Sequence, residues 1–268
     1  MFEFLHTFHP SPILLTAGNL TIRWYGLALA AGMIVAYVVA LRLARKAGLS
    51  EERFATLFTA TVLIGFLGAR FYHVLNEPYY YWHHPSEILA VWRGGLAIHG
   101  GIIAGALTIW HFCKRWSISF WKIADTIVPA LAIGQAIGRF GNFFNQELFG
   151  KPTGLPWGIP IDAELRPQGF ERFTYFHPTF LYEFLWDAGT FAILMILHRR
   201  NSAHQGVITA VYLMLYAAGR ALTEFLRIDD VPIIFGVRLP LLVSILLGLL
   251  GLALLWYATR KTQKKAAQ

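Results

Sequence analysis

The chain has 268 residues, 56% hydrophobic and 14% charged, with 23 Lys and Arg against 15 Asp and Glu. Its apolar residues lie in blocks of about 20, the length that crosses a hydrocarbon core, which excludes an ordinary soluble domain. The formal net charge of +8 is spread among the connections and forms no single stripe, so anionic lipid is an expected partner and nucleic acid is not. One cysteine, Cys113, excludes an internal disulfide and a multi-cysteine metal site.

The opening MFEFLHTFHPSPILL has no basic n-region and no small-residue cleavage site, so it is expected to stay attached as an interfacial segment. Seven apolar segments follow, at 24–43, 54–75, 95–113, 123–144, 178–197, 206–225 and 239–257. They predict an all-α polytopic membrane protein of about seven transmembrane helices, a single membrane domain over 1–268. PYYYWHHPSEILAVW, in an interfacial segment at about 77–93, is aromatic and amphipathic and predicts a helix lying at the membrane surface. Prolines 152, 156, 160, 167 and 178 make the small extracytoplasmic head at about 145–177 mostly loop or short strand, since each removes a backbone donor.

Alternate connections divide the basic residues 13 to 10, and the richer set is placed in the cytoplasm, which puts the N-terminus outside and the C-terminus inside. Six of the 13 are lysine, whereas nine of the 10 on the opposite side are arginine. Guanidinium is a planar, permanently charged fork that pairs with phosphate bidentately, so the outward face is suited to holding an anion. Snorkelling to headgroups accounts for Arg23, Arg93 and Arg238 one by one. It accounts poorly for Arg139 and Arg220, which lie within apolar segments.

Three segments carry groups with chemistry. The third opens GGLAIHGGIIAG, with His99 one turn inside between glycine pairs that leave the ring room and bring backbone close. A packed, hydrogen-bonded histidine is the plain alternative; beside arginines and a carboxylate it becomes a base next to a bound phosphate. The fourth ends GRFGNFFNQELFG, where Gly134, Gly138 and Gly141 let a neighbouring helix approach Arg139 and Asn142. Asn145 and Gln146 fit ordinary interfacial capping. In the sixth, Tyr212, Tyr216, Arg220, Glu224 and Arg227 follow at spacings of four, four, four and three, one face of a helix. Such a stripe marks a substrate path, or else an ion-pair ladder from Arg220 through Glu224 to Arg227 that joins two helices. No G-x-S-x-G or H-E-x-x-H occurs and no histidines stand at i, i+4, so neither a metal nor another cofactor is expected.

With IRWYG in the first segment, GGLAIHGG in the third, GRFGNFFNQELFG in the fourth, FHPTFLYE in the fifth and GRALTEFLR in the sixth, the chain resembles bacterial prolipoprotein diacylglyceryl transferases over nearly its whole length. The resemblance implies seven spans in the bacterial cytoplasmic (inner) membrane. It also implies transfer of diacylglyceryl from phosphatidylglycerol to the lipobox cysteine of a preprolipoprotein signal peptide, with glycerol phosphate leaving. Family roles fall on His99, Arg139 and Arg220 as catalytic groups and on Tyr25, Asn142, Glu147, Glu224 and Arg227 as substrate-binding groups. One departure is a family glutamine before the last segment's serine: RLPLLVSIL has Pro240 near that place and keeps Ser244. The rival reading is a transporter or channel for an anionic solute, opposed by GVITAV, which continues the sixth segment beyond Tyr212 without an ionisable track.

Overall fold

The computed structural model describes residues 2–18, 20–200 and 204–266. Its elements are α1 (Phe2–Thr7), β1 (Ile13–Ala17), β2 (Leu20–Arg23), α2 (Trp24–Lys46), α3 (Glu51–Asn76), α4 (Pro78–His83), α5 (Ile98–Arg115), α6 (Phe120–Phe144), β3 (Ile159–Pro160), β4 (Tyr175–Phe176), α7 (Thr179–Arg199), α8 (Val207–Glu224), β5 (Ile233–Ile234), β6 (Val237–Arg238) and α9 (Leu239–Ala266). The side chains of Arg93, Lys261, Lys264 and Lys265, counted above, lie outside the described residues.

Each of the seven apolar segments is a long helix. Four, Trp24–Lys46, Glu51–Asn76, Thr179–Arg199 and Leu239–Arg260, are long and apolar enough to cross a membrane. The other three, α5, α6 and α8, carry among their polar residues His99, then Arg139 and Asn142, then the Tyr212–Glu224 stripe.

The chain divides into two compact units, residues 41–126 and residues 1–40 with 127–268. In the first, Ser50 caps α3 by accepting from Arg53 N at 3.4 Å, with Glu51 and Glu52 on the positive helix end. α3 and α5 cross on glycines: a Cβ at Gly101 would lie 3.3 Å from Gly65 O, and Gly68 and Gly100 are closer still. The bringing together of backbones expected around His99 is therefore found, with α3 as the partner. The aromatic segment is not one interfacial helix. α4 lasts six residues, and two single 3₁₀ turns follow at Pro85–Glu87 and Val91–Arg93. The break falls at Pro85, because a residue before proline is pushed out of the helical region, and His84 has φ −128°, ψ 58°.

In the larger unit, α8 packs along α9 and α7 along α8. The glycine face of α6 meets α2: Gly134 lies against Gly32 and Ala36, and a Cβ at Gly141 would come 2.7 Å from the Tyr25 ring. Three two-stranded antiparallel pairs, β1–β2, β3–β4 and β5–β6, add strand that an all-α description omits. The 145–177 segment is loop, one 3₁₀ turn and the β3–β4 pair, as its prolines require. Its core of Phe143, Phe149, Ile159, Ile161, Phe176 and Phe180 takes Leu5 and Phe8 of the N-terminal segment against it. That segment is thus seated on protein: His6 Nδ1 lies 3.1 Å from Gly158 O, and its ring stacks on Tyr175.

Candidate functional site

α6 contributes Arg139, α7 Glu183 and Asp187, and α8 Arg220 and Glu224. Arg139 Nη1 pairs with Glu183 Oε2 at 3.0 Å, and its Nε lies 3.6 Å from Asp187 Oδ2. The other oxygen of Glu183 reaches Arg227 Nη1 at 3.4 Å, and Arg227 Nε donates to Asp229 at 2.7 Å. Arg238 approaches Asp229 at 3.8 Å and donates from Nε to Glu224 at 2.5 Å; Glu224 closes on Arg220. Four guanidinium groups and four carboxylates therefore alternate in one chain, from Asp187 through Arg139, Glu183, Arg227, Asp229, Arg238 and Glu224 to Arg220. Buried charge is tolerated when it is paired in this way.

Local sequence explains the placement. Glu183 and Asp187 stand at i, i+4 on α7, and Arg220 and Glu224 at i, i+4 on α8. α8 ends at Glu224, so Arg227 sits in the following turn, where Gly150 bridges to it and Lys151 N donates to Leu226 O at 2.8 Å. Arg238, on β6, turns back to the same turn through Nη2 to Asp229 O at 3.0 Å. Burial pushes the Asp229 carboxyl up, but the bond from Arg227 and the charges of Arg227 and Arg238 outweigh it and hold the group below its ordinary value.

Arg139 and Arg220 both line one small cavity, with Trp186, Asp187, Tyr216 and Thr223 among its walls. Arg139 Nε, Asp187 Oδ2, Arg220 Nη1 and Glu224 Oε2 are buried and make no hydrogen bond. Arg139 Nε, 3.6 Å from Asp187, is left as an unused buried donor beside the cavity, whereas Arg220 Nη1 is held against Glu224 Oε2. A phosphate oxygen is the kind of acceptor such a donor lacks. Gly219 lets the Trp186 indole pack directly on α8 at the cavity wall, since a Cβ there would run into it. Further along α8 toward its start, Tyr212 donates to Gln135 at 3.1 Å, and Val128, Ala132, Leu194 and Ile208 pack around it as a buried apolar cluster.

The family model for prolipoprotein diacylglyceryl transferase matches residues 12–257. A phosphatidylglycerol–prolipoprotein diacylglyceryl transferase of Trichormus variabilis is 42% identical over 260 residues, covering 94% of this chain and 91% of its own. The protein of that name from Cutibacterium acnes is 42% identical over 218 residues, covering 79% and 73%, and that from Gloeobacter violaceus 38% over 262 residues, covering 96% of each. The chain belongs to the prolipoprotein diacylglyceryl transferase family.

Of the residues to which the family resemblance gave roles, Arg139 and Arg220 share the cavity, and Glu224 and Arg227 belong to its ion chain. Asn142 donates to Glu147 at 2.7 Å at the end of α6, and Tyr25 packs on Gly141; these three lie outside the cavity's lining. His99 belongs to the other unit, exposed on the first turn of α5 and beside Tyr72, with ring centroids 6.1 Å apart. Ser244, buried, donates to Pro240 O at 2.7 Å within α9.

Three expectations need correction. The ladder step from Glu224 to Arg227 is not a contact pair, because α8 ends before Arg227 and turns it to Glu183 and Asp229. Arg238 is not a solitary snorkelling arginine but a link between Glu224 and Asp229. Gln146 is not an interfacial cap: it is buried, donates to Pro10 O at 2.9 Å and Asp162 at 2.7 Å, and accepts from Asp162 N. Glu183 and Asp187 were missed altogether, although two carboxylates one turn apart inside an apolar segment are themselves a signal.

Proposed function

We propose that this protein transfers the diacylglyceryl group of phosphatidylglycerol to the thiol of a lipobox cysteine, forming a thioether and releasing glycerol phosphate. The observation that carries the reading is the sharing of one cavity by Arg139 of α6 and Arg220 of α8, in a chain of this family. The two guanidinium groups take the lipid phosphate, and His99 removes the thiol proton. The sulfur then bonds to the terminal glycerol carbon of the diacylglyceryl group while the carbon–oxygen bond to phosphate breaks, and glycerol phosphate leaves with the electron pair. Two guanidiniums at the leaving oxygens stabilise the charge that grows there, a term that typically dominates such catalysis. A thiolate is required because the neutral thiol, with pKa near 8.5, is a poor nucleophile.

Tyr25, Asn142 and Glu147 bind headgroup or peptide, Glu224 holds Arg220, and Arg227 steadies Arg139 through Glu183. We place seven spans in the bacterial inner membrane as a single membrane domain, with the N-terminus and the 145–177 head outside and the C-terminus in the cytoplasm. A conduit for an anionic solute is disfavoured, since the apolar cluster around Tyr212 closes the way past the cavity. The test is incubation of purified protein with phosphatidylglycerol and a lipobox peptide. A peptide heavier by one diacylglyceryl group supports the reading. An unmodified peptide alongside uptake of an anion into vesicles refutes it.

A further inference from the structure

Arg70 is almost completely buried near the end of α3. Its Nε donates to Ile88 O at 2.8 Å and its Nη2 to Glu87 O at 2.6 Å. Its Nη1 donates to both Gly94 O and Gly95 O, at 2.8 and 2.9 Å. The guanidinium lies over the Tyr81 ring, 5.3 Å from its centroid. A buried cation given to four neutral carbonyls gains less Coulomb energy than one facing a carboxylate; what it gains is direction, because the guanidinium fork has fixed geometry. The fork gathers two stretches of chain: the end of the aromatic segment, and the glycine pair that leads into α5.

That second stretch has little else to define it. Gly94 and Gly95 have φ of 90° and 75°, a region that side chains avoid, and there the two carbonyls turn to one nitrogen. A Cβ on Gly95 would lie 2.5 Å from Arg70 Nη1 and 2.5 Å from His73 Nε2. Ala97 N donates to Ala69 O at 3.0 Å, from the residue beside Arg70, and α5 starts at Ile98 with no side-chain cap. His99 is the second residue of that helix.

We propose that Arg70 is a positioning residue for His99: by holding the carbonyls of residues 87, 88, 94 and 95 on one guanidinium, it sets where α5 begins and so where the imidazole stands. This rests on the reading of His99 as the base of the transfer. Lysine keeps the charge but reaches these carbonyls from a single nitrogen. Gly95→Ala keeps the guanidinium and pushes the loop off it.

Both variants are tested as full-length protein by thioether formation and by amide hydrogen exchange. The expected result for each is a kcat about 100-fold down with KM within about twofold, as misplacement of a reacting group by about an ångström produces. Amides of residues 97–101 should exchange at least ~10-fold faster, with those of residues 51–66 unchanged. A kcat within about threefold of wild type in either variant overturns the proposal, as does a loss of kcat with unchanged exchange at 97–101. Should Arg70→Lys fail to fold, Gly95→Ala decides. A His99→Gln enzyme with the wild-type rate sinks the reading of the base, whereas the exchange data judge the hold of Arg70 independently.

Discussion

Arg139→Lys separates charge from geometry. Arg139 bonds Glu183 at 3.0 Å, faces Asp187 at 3.6 Å, and has a buried Nε with no hydrogen bond. Lysine retains the positive charge, so the two buried carboxylates are not orphaned. The cost in stability is then one charge-assisted bond, about 1.5–3 kcal/mol. Alanine leaves Asp187 buried without its cation and Glu183 with Arg227 alone, and costs ~3–5 kcal/mol. In catalysis the lysine ammonium, a single nitrogen, lacks the planar fork that spans Glu183 and the phosphate. The loss of one preorganised donor at the developing charge therefore lowers kcat by about 10²–10³, or ~3–4 kcal/mol. The assay is the rate of thioether formation on a lipobox peptide at a temperature where thermal melts show both proteins folded. A rate for Arg139→Lys within about threefold of wild type would falsify the assignment of Arg139 to the phosphate. So would a loss that merely tracks the folded fraction.

His99→Gln should lower kcat strongly, with partial recovery at higher pH as more of the substrate thiol ionises unaided; an unchanged rate and pH profile removes the histidine as base. Gly219→Ala places a methyl against Trp186, whose Nε1 donates to Leu215 O at 2.8 Å, and should narrow the cavity and raise KM for lipid by ~10-fold or more, measured on the same assay; an unaltered KM shows that the indole yields freely. Burial holds His177 below the usual histidine value while its Nδ1 lies 3.1 Å from the Tyr182 hydroxyl. The unfolded chain binds that proton more readily, so stability should be full above about pH 6.5 and decline as pH falls toward the lowered folded value. Melts between pH 7.5 and 5.5 should show a steeper fall for wild type than for His177→Asn, and equal slopes would assign the effect elsewhere.

Patterns local to one helix were readable in the sequence: the seven long helices, the i, i+4 pair of Arg220 and Glu224, and the glycine face of α6. What needed coordinates was the choice of partner between elements. Arg139 and Arg220 could be picked out as misplaced in lipid, but not that Glu183, on a neighbouring helix, divides its two oxygens between Arg139 and Arg227. Arg238 looked like an interfacial arginine because its chain neighbours are apolar; the short β5–β6 pair turns it onto Glu224. The aromatic segment kept its amphipathic composition but lost its helix at Pro85, and its tether Arg70 lies on α3, in a different segment of the sequence.

The most direct test of the phosphate grip is a double-mutant cycle of Arg139→Lys and Arg220→Lys, read as binding of phosphatidylglycerol and, separately, of diacylglycerol, which lacks the phosphate. Both arginines holding one phosphate predicts a coupling above ~1 kcal/mol for phosphatidylglycerol and additivity within ~0.5 kcal/mol for diacylglycerol. Additive losses for phosphatidylglycerol, or equal coupling for the two lipids, would contradict it.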